Sequence, residues 1–570
     1  MKNIDILNRY EVQFYKPVWN DNEMELATCL SIVFKDGYHI ADIRVTNNKS
    51  LFVFLRRCFP SILLSDNSKA FRLELFSRLK SMYKDLDSEF LNIHYKSLGY
   101  KLDLYDHQKE ALAQMMYRKV NLLAFEQGLG KTLTSASMSK LLKVNRTIIV
   151  CPTLVKWNWL DDMTKDWGYD PLLWTILDRT KSKCLHAFLT ERFVVVNYEM
   201  IEKHWNYLIK SGVDHIIFDE CHLIKNTKTR RFRHSFNLVK HFPNARVTLL
   251  SGTPFTNRIT DMFAYLKIAK HPLGKSITKF REKYAVMGGR NKIIGAKDVP
   301  DLRDKISNFM IRRKADECLD LPDLIIKNFY FDVGELTGEY SEKMDELAQL
   351  KDEYDSLKGK EKAQKGVEMR GNIHSLNRLA SESKVEPVIK LIDSLHEQGK
   401  KVIVFSGYTA PLDMLEEHYG DSSIKINGSV GAHKRQALIN RYKTDPNCRV
   451  FLGNFKAAGV GINLVNSNHV IFMNFPFTPD DLEQPYKRAH RIGQKEKVYV
   501  YYTLGRGTID ERVYEIIKDK SSDINSLIDD NKNVVNYGSI EGQLFKSLIA
   551  DYNKKKGIVT EDTTGFVSVK

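Results

Sequence analysis

Short apolar runs alternate with longer polar or amphipathic stretches between about residues 100 and 265. The runs are NLLAF, RTIIVCP, RFVVVNYE, DHIIFDE and ARVTLLSG. An uninterrupted apolar run between polar segments is typical of a strand buried on both faces, and its alternation with helical patterns is typical of β-α units. This part of the chain is therefore predicted to form a parallel sheet covered by helices.

The same alternation returns in the second half of the chain. Its apolar runs are KKVIVFSG, SSIKING, CRVFLGN, SNHVIFMNF and EKVYVYYTL. The stretches between them, such as TAPLDMLEEHY and RQALINRYKT, have helical patterns. At 570 residues the chain is long enough for several domains. We therefore predict an α/β protein with two parallel-sheet lobes, over residues 96–315 and 316–535.

Two stretches inside these lobes depart from the pattern. A basic, non-sheet insert is predicted at about residues 268–300, around KSITKFREKYAVMGGRNKIIGAK. A charged helical insert is predicted at about residues 334–383. Its heptad-like spacing is brief, which favours a solvated helical hairpin over a coiled coil.

The two ends of the chain differ from the lobes. Residues 1–95 have the pattern of a small accessory α+β domain, with a hairpin expected around Asp36 and Gly37 and a helix over SKAFRLELFSRLKSMYKDL. No chemistry can be assigned to this domain, which is a candidate surface for a protein partner. Residues 536–570 have the composition of a loosely ordered tail.

Charge adds one constraint on partners. Lys and Arg number 87 against 71 acidic residues, which gives a formal net charge of +16 spread along the chain. Such a surplus favours polyanions such as nucleic acid. A generally cationic enzyme would have the same balance, so charge alone leaves both interpretations open.

Cysteine spacing and hydropathy bear on the compartment. The seven cysteines are scattered, with no spacing typical of a zinc site, and we expect reduced structural thiols. No apolar run approaches 18 residues, and Asp5 interrupts the start, where a signal peptide would be apolar. We therefore expect no membrane association and a cytoplasmic protein, with a bacterial or viral source favoured by the lean architecture and a nuclear location expected if the source is eukaryotic.

The most informative short stretch is FEQGLGKT, residues 125–132, between the predicted strand NLLAF and a predicted helix. It ends like a phosphate-binding loop but has Phe125 where the pattern G-x-x-x-x-G-K-[ST] has glycine. Gly128 and Gly130 permit a tight turn.

The residues that follow this turn carry the chemistry of the loop. Amides at the start of a helix face phosphate, Lys131 adds a cation, and the Thr132 hydroxyl can ligate Mg²⁺. An isolated G-K-T arises easily by chance. Its position between strand and helix favours a phosphate site.

A pair of carboxylates follows a later strand, in HIIFDECHLIKN. Asp219 and Glu220 are predicted to lie at the carboxyl end of that strand, where open parallel sheets bind ligands. Asp219 could hold Mg²⁺, and Glu220 could activate a water molecule as general base. A strand end capped by two solvated acids is the alternative, and the phosphate loop upstream favours the catalytic interpretation.

Several motifs in register resemble one family. DECH is similar to the Asp-Glu-x-His box of superfamily 2 helicases, and QPYKRAHRIGQ resembles the last motif of the Swi/Snf-related double-stranded DNA translocases. The set, in chain order, is LYDHQ, FEQGLGKT, CPTLVKWNW, VNYEM, DECHLIKN, SGTPFTN, IRRK, FKAAGVGINL and RAHRIGQ. In that family the first loop position is commonly not glycine, so Phe125 is interpreted as a variant residue. The resemblance covers roughly residues 100–520 and implies two RecA-like lobes.

The resemblance also implies an ATP site built by both lobes. Gln108 would recognise adenine, and Thr132 and Asp219 would hold Mg²⁺. Arg488 and Arg491 would act as arginine fingers on the γ-phosphate. The full set implied for ATP binding and hydrolysis is Gln108, Gly128, Gly130, Lys131, Thr132, Asp219, Glu220, Gly461, Gln484, Arg488 and Arg491. A surface basic patch is the alternative for the two arginines.

A nucleic-acid track is implied by the same resemblance. The contacts in the first lobe would be Lys156, Trp157, Asn197, Tyr198, Lys225 and Asn226, and those in the second lobe Gly428 and Lys456. Ser251 and Thr253 would relay the nucleotide state to the track. Phosphate contacts position a protein without reading sequence. Solvated helix faces remain the alternative for each of these residues.

These observations lead to three hypotheses. The first is a monomeric ATP-dependent motor that moves along duplex or branched DNA. The second is a helicase that separates, anneals or branch-migrates strands at forks and junctions. The third is a nucleic-acid-binding scaffold with a decayed ATPase, although Lys131, Asp219, Glu220 and Arg491 are all present.

Overall fold

The computed structural model describes four short segments near the start of the chain, then Tyr100, most of residues 103–529, and Leu544. The internal positions outside the described residues are 117, 143, 178–191, 211, 253, 255–258, 289–292, 308, 333–337 and 456–461. The predicted helix SKAFRLELFSRLKSMYKDL and nearly all of the predicted tail also lie outside them.

The described residues contain strands and helices in an alternating order. The strands are β1 Ile4–Ile6, β2 Glu11–Phe14, β3 Val33–Lys35, β4 Tyr38–Asp42, β5 Val120–Phe125, β6 Thr147–Cys151, β7 Trp174–Ile176, β8 Phe193–Asn197, β9 His215–Phe218, β10 Arg246–Leu250, β11 Ala285–Met287, β12 Ile293–Ala296, β13 Met310–Arg313, β14 Leu324–Phe331, β15 Val402–Ser406, β16 Ser423–Ile426, β17 Val450–Asn454, β18 His469–Phe472 and β19 Val498–Gly505. The helices are α1 Asp106–Met116, α2 Lys131–Leu141, α3 Lys156–Asp161, α4 Trp205–Leu208, α5 Arg230–His241, α6 Asp261–Ile268, α7 Ile277–Tyr284, α8 Val299–Ile306, α9 Ala315–Cys318, α10 Gly338–Ser356, α11 Gly359–Glu382, α12 Val385–Glu397, α13 Thr409–Tyr419, α14 Ala432–Thr444, α15 Pro479–Tyr486 and α16 Ile509–Asp529.

The first four strands form an antiparallel sheet in the order β1-β2-β4-β3. Strands β3 and β4 pair antiparallel with Lys35 opposite Tyr38, in agreement with the hairpin expected around Asp36 and Gly37, which lie outside the described residues. The predicted helix of residues 1–95 lies outside the described residues, so the α+β domain stays a prediction.

Seven strands of the first lobe form a parallel sheet in the order β13-β5-β10-β9-β6-β8-β7. Consecutive residues of its central strands pack into different cores on the two faces, as with Ile148 and Ile149 of β6. Because both faces are covered, a central strand is mostly apolar, and its few polar residues, such as His215 and Thr248, are buried. This explains why these strands appear as unbroken apolar runs in the sequence.

The second lobe has a six-stranded parallel sheet in the order β14-β19-β18-β15-β17-β16. Again neighbouring residues face different cores, as with Ile403 and Val404 of β15. The predicted α/β class with two parallel-sheet lobes is confirmed. The strands of the two sheets lie within residues 120–313 and 324–505.

Both predicted inserts need correction in detail. The basic insert contains helix α7, but β11 and β12 also pair antiparallel there, so it is not free of sheet structure. Helices α10 and α11 form the expected hairpin, yet it is not solvated throughout, because Leu347, Ile373 and Leu376 are buried in the core of the second lobe. The burial of this hairpin could not be predicted from the sequence, because charged and apolar residues alternate along it.

Thiols and helix hydropathy complete the picture of the fold. Cys151, Cys221 and Cys448 are buried, and together with Cys318 they form no disulfide among the described residues. No helix in the described part of the chain has the length and apolarity needed to cross a bilayer.

Candidate nucleotide site and nucleic-acid face

The loop between β5 and α2 has the backbone of a tight anion-binding turn. Gly128 and Gly130 have φ values of 87° and 74°, in the left-handed region that favours glycine. A Cβ atom at Gly128 would lie 3.3 Å from Cβ of Arg491, and one at Gly130 would collide with the Gln108 amide. Both glycines are therefore required by backbone conformation and by close packing.

Lys131 opens helix α2, and its side chain folds back over the loop. Its Nζ donates hydrogen bonds to the carbonyl oxygens of Phe125 at 2.9 Å and Glu126 at 3.2 Å. Burial lowers the pKa of Lys131 to about 8, although the Glu220 and Asp219 carboxylates oppose this change. The ammonium group is thus held at the mouth of the loop, close to both acidic side chains.

Gln108, the predicted adenine ligand, packs against the phosphate loop. Its Oε1 accepts a hydrogen bond from the Tyr105 amide at 3.0 Å, and its Nε2 donates to the Leu129 carbonyl at 3.3 Å. The neighbouring His107 imidazole also contacts the Leu129 carbonyl, at 3.0 Å. Helix α1 therefore fixes the loop from one side, and adenine recognition by Gln108 stays a prediction.

Phe125, the residue that departs from the glycine pattern, is the last residue of β5 and is fully buried. Its ring packs edge to face against His107, with centroids 5.8 Å apart. The turn begins only after it, so its side chain fills core space without entering the loop. The loop keeps its tight geometry with phenylalanine at this position.

The carboxylates of Asp219 and Glu220 follow the buried strand β9, as predicted. Asp219 Oδ2 accepts a hydrogen bond from Trp159 Nε1 at 2.9 Å, and Oδ1 accepts one from the Glu220 amide at 2.9 Å. Glu220 has φ 49° and ψ 52°, a left-handed conformation that is uncommon for a non-glycine residue and often accompanies functional sites. His222 Nδ1 lies 3.2 Å from Glu220 Oε2.

The two carboxyl groups have opposite pKa shifts. Burial and the neighbouring Glu220 charge raise the pKa of Asp219. Burial would also raise the pKa of Glu220, but His222, Lys131 and Arg488 lower it below its usual value. Glu220 is therefore held ionised, which is the state that a general base requires.

Two arginines from the second lobe reach this pocket from the turn that follows α15. Burial and the adjacent Arg491 lower the pKa of Arg488 to about 10, and the Glu220 and Asp219 carboxylates oppose that change. Cα of Arg491 lies 3.8 Å from the position of a Cβ on Gly128. Cations of one lobe and carboxylates of the other thus converge on one loop.

The remaining predicted residues near this pocket stand as follows. Gln484 lies on α15, one turn before Arg488, and is half-buried. Gly461 lies outside the described residues, so its place in the cleft stays a prediction.

The loop that carries the arginines is fixed by Gln494, which sequence reasoning did not single out. Its Nε2 donates to the carbonyl oxygens of Ala489 at 3.3 Å and Ser467 at 3.1 Å. Its Oε1 accepts hydrogen bonds from the amides that follow it. Its place in RAHRIGQ was the only signal in the sequence.

A second unforeseen group connects the lobes through Glu126. Its Oε1 lies 3.2 Å from Arg312 Nη2, and its Oε2 lies 3.8 Å from Lys487 Nζ of the second lobe. Arg312 Nη1 also donates to the carbonyl oxygens of Ala124 at 3.0 Å and Gly252 at 3.3 Å. Arg312 belongs to the IRRK motif, and its contacts show that β13 braces the phosphate loop.

The donor set fits Mg²⁺ as well as nucleotide. Thr132 supplies a hydroxyl and Asp219 a carboxylate, and Mg²⁺ in phosphate sites usually takes one or two protein oxygen ligands while phosphate and water complete its shell. No group of three or more His, Cys, Asp or Glu side chains gathers at metal-binding spacing within the described ranges. A metal bound mainly by the substrate's phosphates agrees with both facts.

Three of the predicted nucleic-acid contacts and the predicted relay residue Ser251 are buried, and their roles stay predictions. Lys156 Nζ donates to the Leu177 carbonyl at 3.4 Å, and Tyr198 donates its hydroxyl to the Asp219 carbonyl at 2.7 Å. Asn197 donates to Glu199 at 2.9 Å, and Ser251 is fully buried. Each of the four residues is at most 6% exposed in this conformation.

Other predicted contacts do face solvent. The Trp157 side chain is 49% exposed, and Asn226 and Gly428 are exposed as well. Lys225 is half-buried. Thr253 and Lys456 lie outside the described residues, and their roles stay predictions.

Helix α5 adds exposed cations to the same lobe as Trp157. It begins after Thr229, whose Oγ1 accepts a hydrogen bond from the Phe232 amide at 3.3 Å. Lys228, Arg230 and Arg233 are exposed at its start, whereas Arg231 is paired with Glu199. This surface is suited to a phosphate backbone.

The fold and the site together define a class of protein. Two parallel-sheet lobes, a phosphate loop on the first and arginines on the second that reach it, are the architecture of a two-lobed helicase-like ATPase module. A model of the SNF2-related domain matches residues 107–381, and a model of the helicase conserved C-terminal domain matches residues 383–493. The chain belongs to the SNF2-related family.

Curated relatives agree with this assignment. The chain is 28% identical over 431 residues to the SWI/SNF-related matrix-associated actin-dependent regulator of chromatin subfamily A-like protein 1 homolog of Caenorhabditis elegans, covering 73% of this chain and 61% of that protein. It is 26% identical to the DNA repair and recombination protein RAD54 of Saccharomyces cerevisiae, covering 72% and 54%. It is 25% identical to the DNA annealing helicase and endonuclease ZRANB3 of Bos taurus, covering 77% and 42%. The chain thus spans less than two thirds of the length of each.

Among solved structures, the chain is similar to the Sulfolobus solfataricus SWI2/SNF2 ATPase core in complex with dsDNA. The identity is 22%, the match covers 75% of this chain and 93% of that one, and the TM-score is 0.36.

Proposed function

We propose that the protein is a DNA-dependent ATPase that binds duplex or branched DNA and uses ATP hydrolysis to move along it. The observation that carries this proposal is the approach of Arg488 and Arg491 to the loop that holds Lys131. A site completed only when two lobes close makes lobe closure depend on nucleotide, and alternating closure is what a motor needs.

The residues of the chain have distinct tasks in this proposal. The Lys131 ammonium group exchanges its hydrogen bonds to the Phe125 and Glu126 carbonyl oxygens for contacts with the phosphates. Glu220 orients and deprotonates the attacking water. Arg488 and Arg491 offset the charge that develops on the γ-phosphoryl oxygens. Mg²⁺ bound by Thr132 and Asp219 would neutralise phosphate charge.

DNA is the proposed partner because the exposed cations at the start of α5 and the exposed Trp157 lie on the lobe that holds the phosphate loop. Phosphate contacts of this kind give affinity with little sequence preference and a steep dependence on salt. We propose a monomeric motor that acts in the cytoplasm, with residues 1–95 available for a protein partner.

The first experiment measures ATP turnover with no nucleic acid, with single strands and with duplex DNA. We expect stimulation of about tenfold or more by duplex. A rate that is the same in all three conditions would rule out a DNA-driven motor. Displacement of a triplex-forming strand from duplex DNA then tests for movement.

A second candidate is annealing or branch migration at forks, and it is favoured by the name of one relative, a DNA annealing helicase. A forked substrate with one labelled strand distinguishes the two candidates. Release of the strand would indicate strand separation, whereas re-pairing of a melted bubble would indicate annealing. Turnover without either product would favour plain translocation.

A further inference from the structure

We propose that Trp159 is a positioning residue that links DNA binding on helix α3 to the orientation of the Asp219 carboxylate. The proposal deepens the proposed function and rests on it, because it assumes that the face around Trp157 binds DNA. Trp159 lies in the CPTLVKWNW motif but is not among the site residues that the family resemblance implies.

Helix α3 carries two indoles on opposite sides. Trp157 is 49% exposed, whereas Trp159 is 1% exposed. Residues two positions apart in an α-helix are separated by about 200° around its axis. Because Trp157 faces outward, Trp159 therefore faces the core. A displacement of the helix by a ligand on its outer face therefore moves the inner indole with it.

The inner indole is bonded to the predicted metal ligand. Trp159 Nε1 donates to Asp219 Oδ2 at 2.9 Å, and the Glu220 amide donates to Oδ1 at 2.9 Å. With one donor at each oxygen, the plane of the carboxylate is fixed. The amide belongs to the same turn as Asp219, so Trp159 is the donor that comes from another element.

The segment after α3 extends the connection to the second lobe. Residues Asp162–Asp166 form a π-helical turn, and such turns are frequent at functional sites. The Asp162 carboxylate lies close enough to Arg491 to oppose the burial that lowers the pKa of that guanidinium. One continuous segment thus approaches the DNA face, the metal carboxylate and an arginine finger.

Trp159 could instead be only a core residue, since it packs in the same apolar cluster as Val155 and Met163. Trp174 provides the matched comparison. It belongs to the same cluster, is 6% exposed and stacks on Phe193 with centroids 4.3 Å apart. Its Nε1 has no hydrogen-bond partner among the described residues. Replacement by phenylalanine removes similar volume at both sites but removes a bond to Asp219 only at Trp159.

The experiment is a binding cycle on the full chain with Trp159→Phe and Trp174→Phe. Affinity for a labelled duplex is measured by fluorescence anisotropy, with and without Mg²⁺ and a non-hydrolysable ATP analogue. The ratio of the two affinities is the coupling factor, and such factors are typically about 5 to 150. We expect Trp159→Phe to reduce the factor at least about fivefold toward one. Trp174→Phe should keep it within about twofold of wild type.

A second readout uses the Mg²⁺ concentration that gives half-maximal duplex-stimulated turnover. It should rise several-fold in Trp159→Phe and stay unchanged in Trp174→Phe. If Trp159→Phe does not fold, Asp162→Asn on the exposed side of the segment takes its place and should also lower the coupling factor. Coupling and Mg²⁺ dependence equal to those of the control variant would overturn the proposal.

Failure of the proposed function has a different signature. A wild-type protein that does not bind duplex DNA, or whose turnover ignores it, would refute the function and the coupling together. A wild-type protein that is stimulated normally, beside a Trp159→Phe variant that matches Trp174→Phe, would refute only the role of Trp159.

Discussion

The two lobes arrange their strands in the same order but protect them differently. The order β5-β10-β9-β6-β8-β7 of the first lobe corresponds, strand for strand along the chain, to the order β14-β19-β18-β15-β17-β16 of the second. In the first lobe β13 pairs with the outer edge of β5, whereas among the described strands nothing pairs with the outer edge of β14.

This extra strand accounts for much of the difference in chemistry. All of β5 after Val120 is buried, while Ile326 and Tyr330 of β14 are 46% and 47% exposed. Strand β13 also brings Arg312 to the carbonyl oxygens beside the phosphate loop. The strand that leads into the phosphate loop is therefore covered and braced, whereas the corresponding strand of the second lobe is a partly exposed edge.

Removal of the Arg491 guanidinium of the second lobe should have the largest effect on ATP turnover. We expect Arg491→Ala to lower kcat by about 10³-fold, because arginine fingers contribute about 10³ to 10⁵ in rate. ATP affinity should change little, since the finger acts mainly in the transition state. Steady-state ATPase assays with duplex DNA measure both. The exposed Arg506 of the same lobe is the control, and an equal loss in Arg506→Ala would contradict the assignment.

Removal of the first lobe's base should be the next largest effect. Glu220→Gln should lower turnover by about 10² or more, as expected for loss of a general base. Binding of ATP and DNA should persist, because the amide keeps the size of the carboxylate. Glu202→Gln, at a largely exposed acid of the same lobe, is the control. Turnover in Glu220→Gln equal to that of wild type would contradict the role of Glu220 as general base. If wild-type turnover is also slow, that result favours the scaffold hypothesis.

Removal of the Arg312 side chain should destabilise the strand that leads into the phosphate loop. Arg312→Ala loses hydrogen bonds to Ala124, Gly252 and Glu126 and should lower the free energy of unfolding by about 2 kcal/mol. Lys327→Ala, on the exposed strand β14, should cost less than about 0.5 kcal/mol. Chemical denaturation compares the two, and equal losses would show that β13 stabilises the loop no more than an edge position does.

Acid should destabilise both lobes through one buried imidazole in each. Burial lowers the pKa of His215 to about 3 and that of His469 to about 4. Because both folded values lie below the unfolded value of about 6.5, the neutral rings stabilise the fold fully above that pH. Their contribution is lost as pH falls from about 6.5 toward the folded values.

The size of this acid effect should differ between the lobes. Between pH 7 and pH 4.5 we expect losses of about 2 kcal/mol from His215, which contacts Ser139 and Thr248, and about 1 kcal/mol from His469. Denaturation curves of His215→Gln and His469→Gln across this range measure each share. A steeper acid slope in either variant than in wild type would contradict the sign.

The central strands could be predicted from sequence because burial on both faces makes most of their residues apolar. Strands β13 and β14 could not, since MIRR is half charged and LIIKNFYF is interrupted by polar residues at a sheet edge. The two-stranded ribbon β11-β12 was missed for the same reason, because it is short and flanked by basic residues.

The candidate site, too, could be predicted from the sequence only in part. Spacing places Lys131, Asp219 and Glu220 at the ends of strands, but it does not reveal which way the next side chains point. Tyr198 and Ser251 follow strands as expected and yet turn inward. Contacts such as Trp159 to Asp219 or Glu126 to Lys487 join elements far apart in the chain, and no local pattern encodes them.

The ten residues 314–323 between β13 and β14 join the two sheets, and they begin beside the phosphate loop. The Ala315 amide, near its beginning, donates to Glu126 Oε2 at 3.2 Å. Because Glu126 also lies 3.8 Å from Lys487 Nζ, one carboxylate next to the phosphate loop contacts both the connection between the sheets and the second lobe.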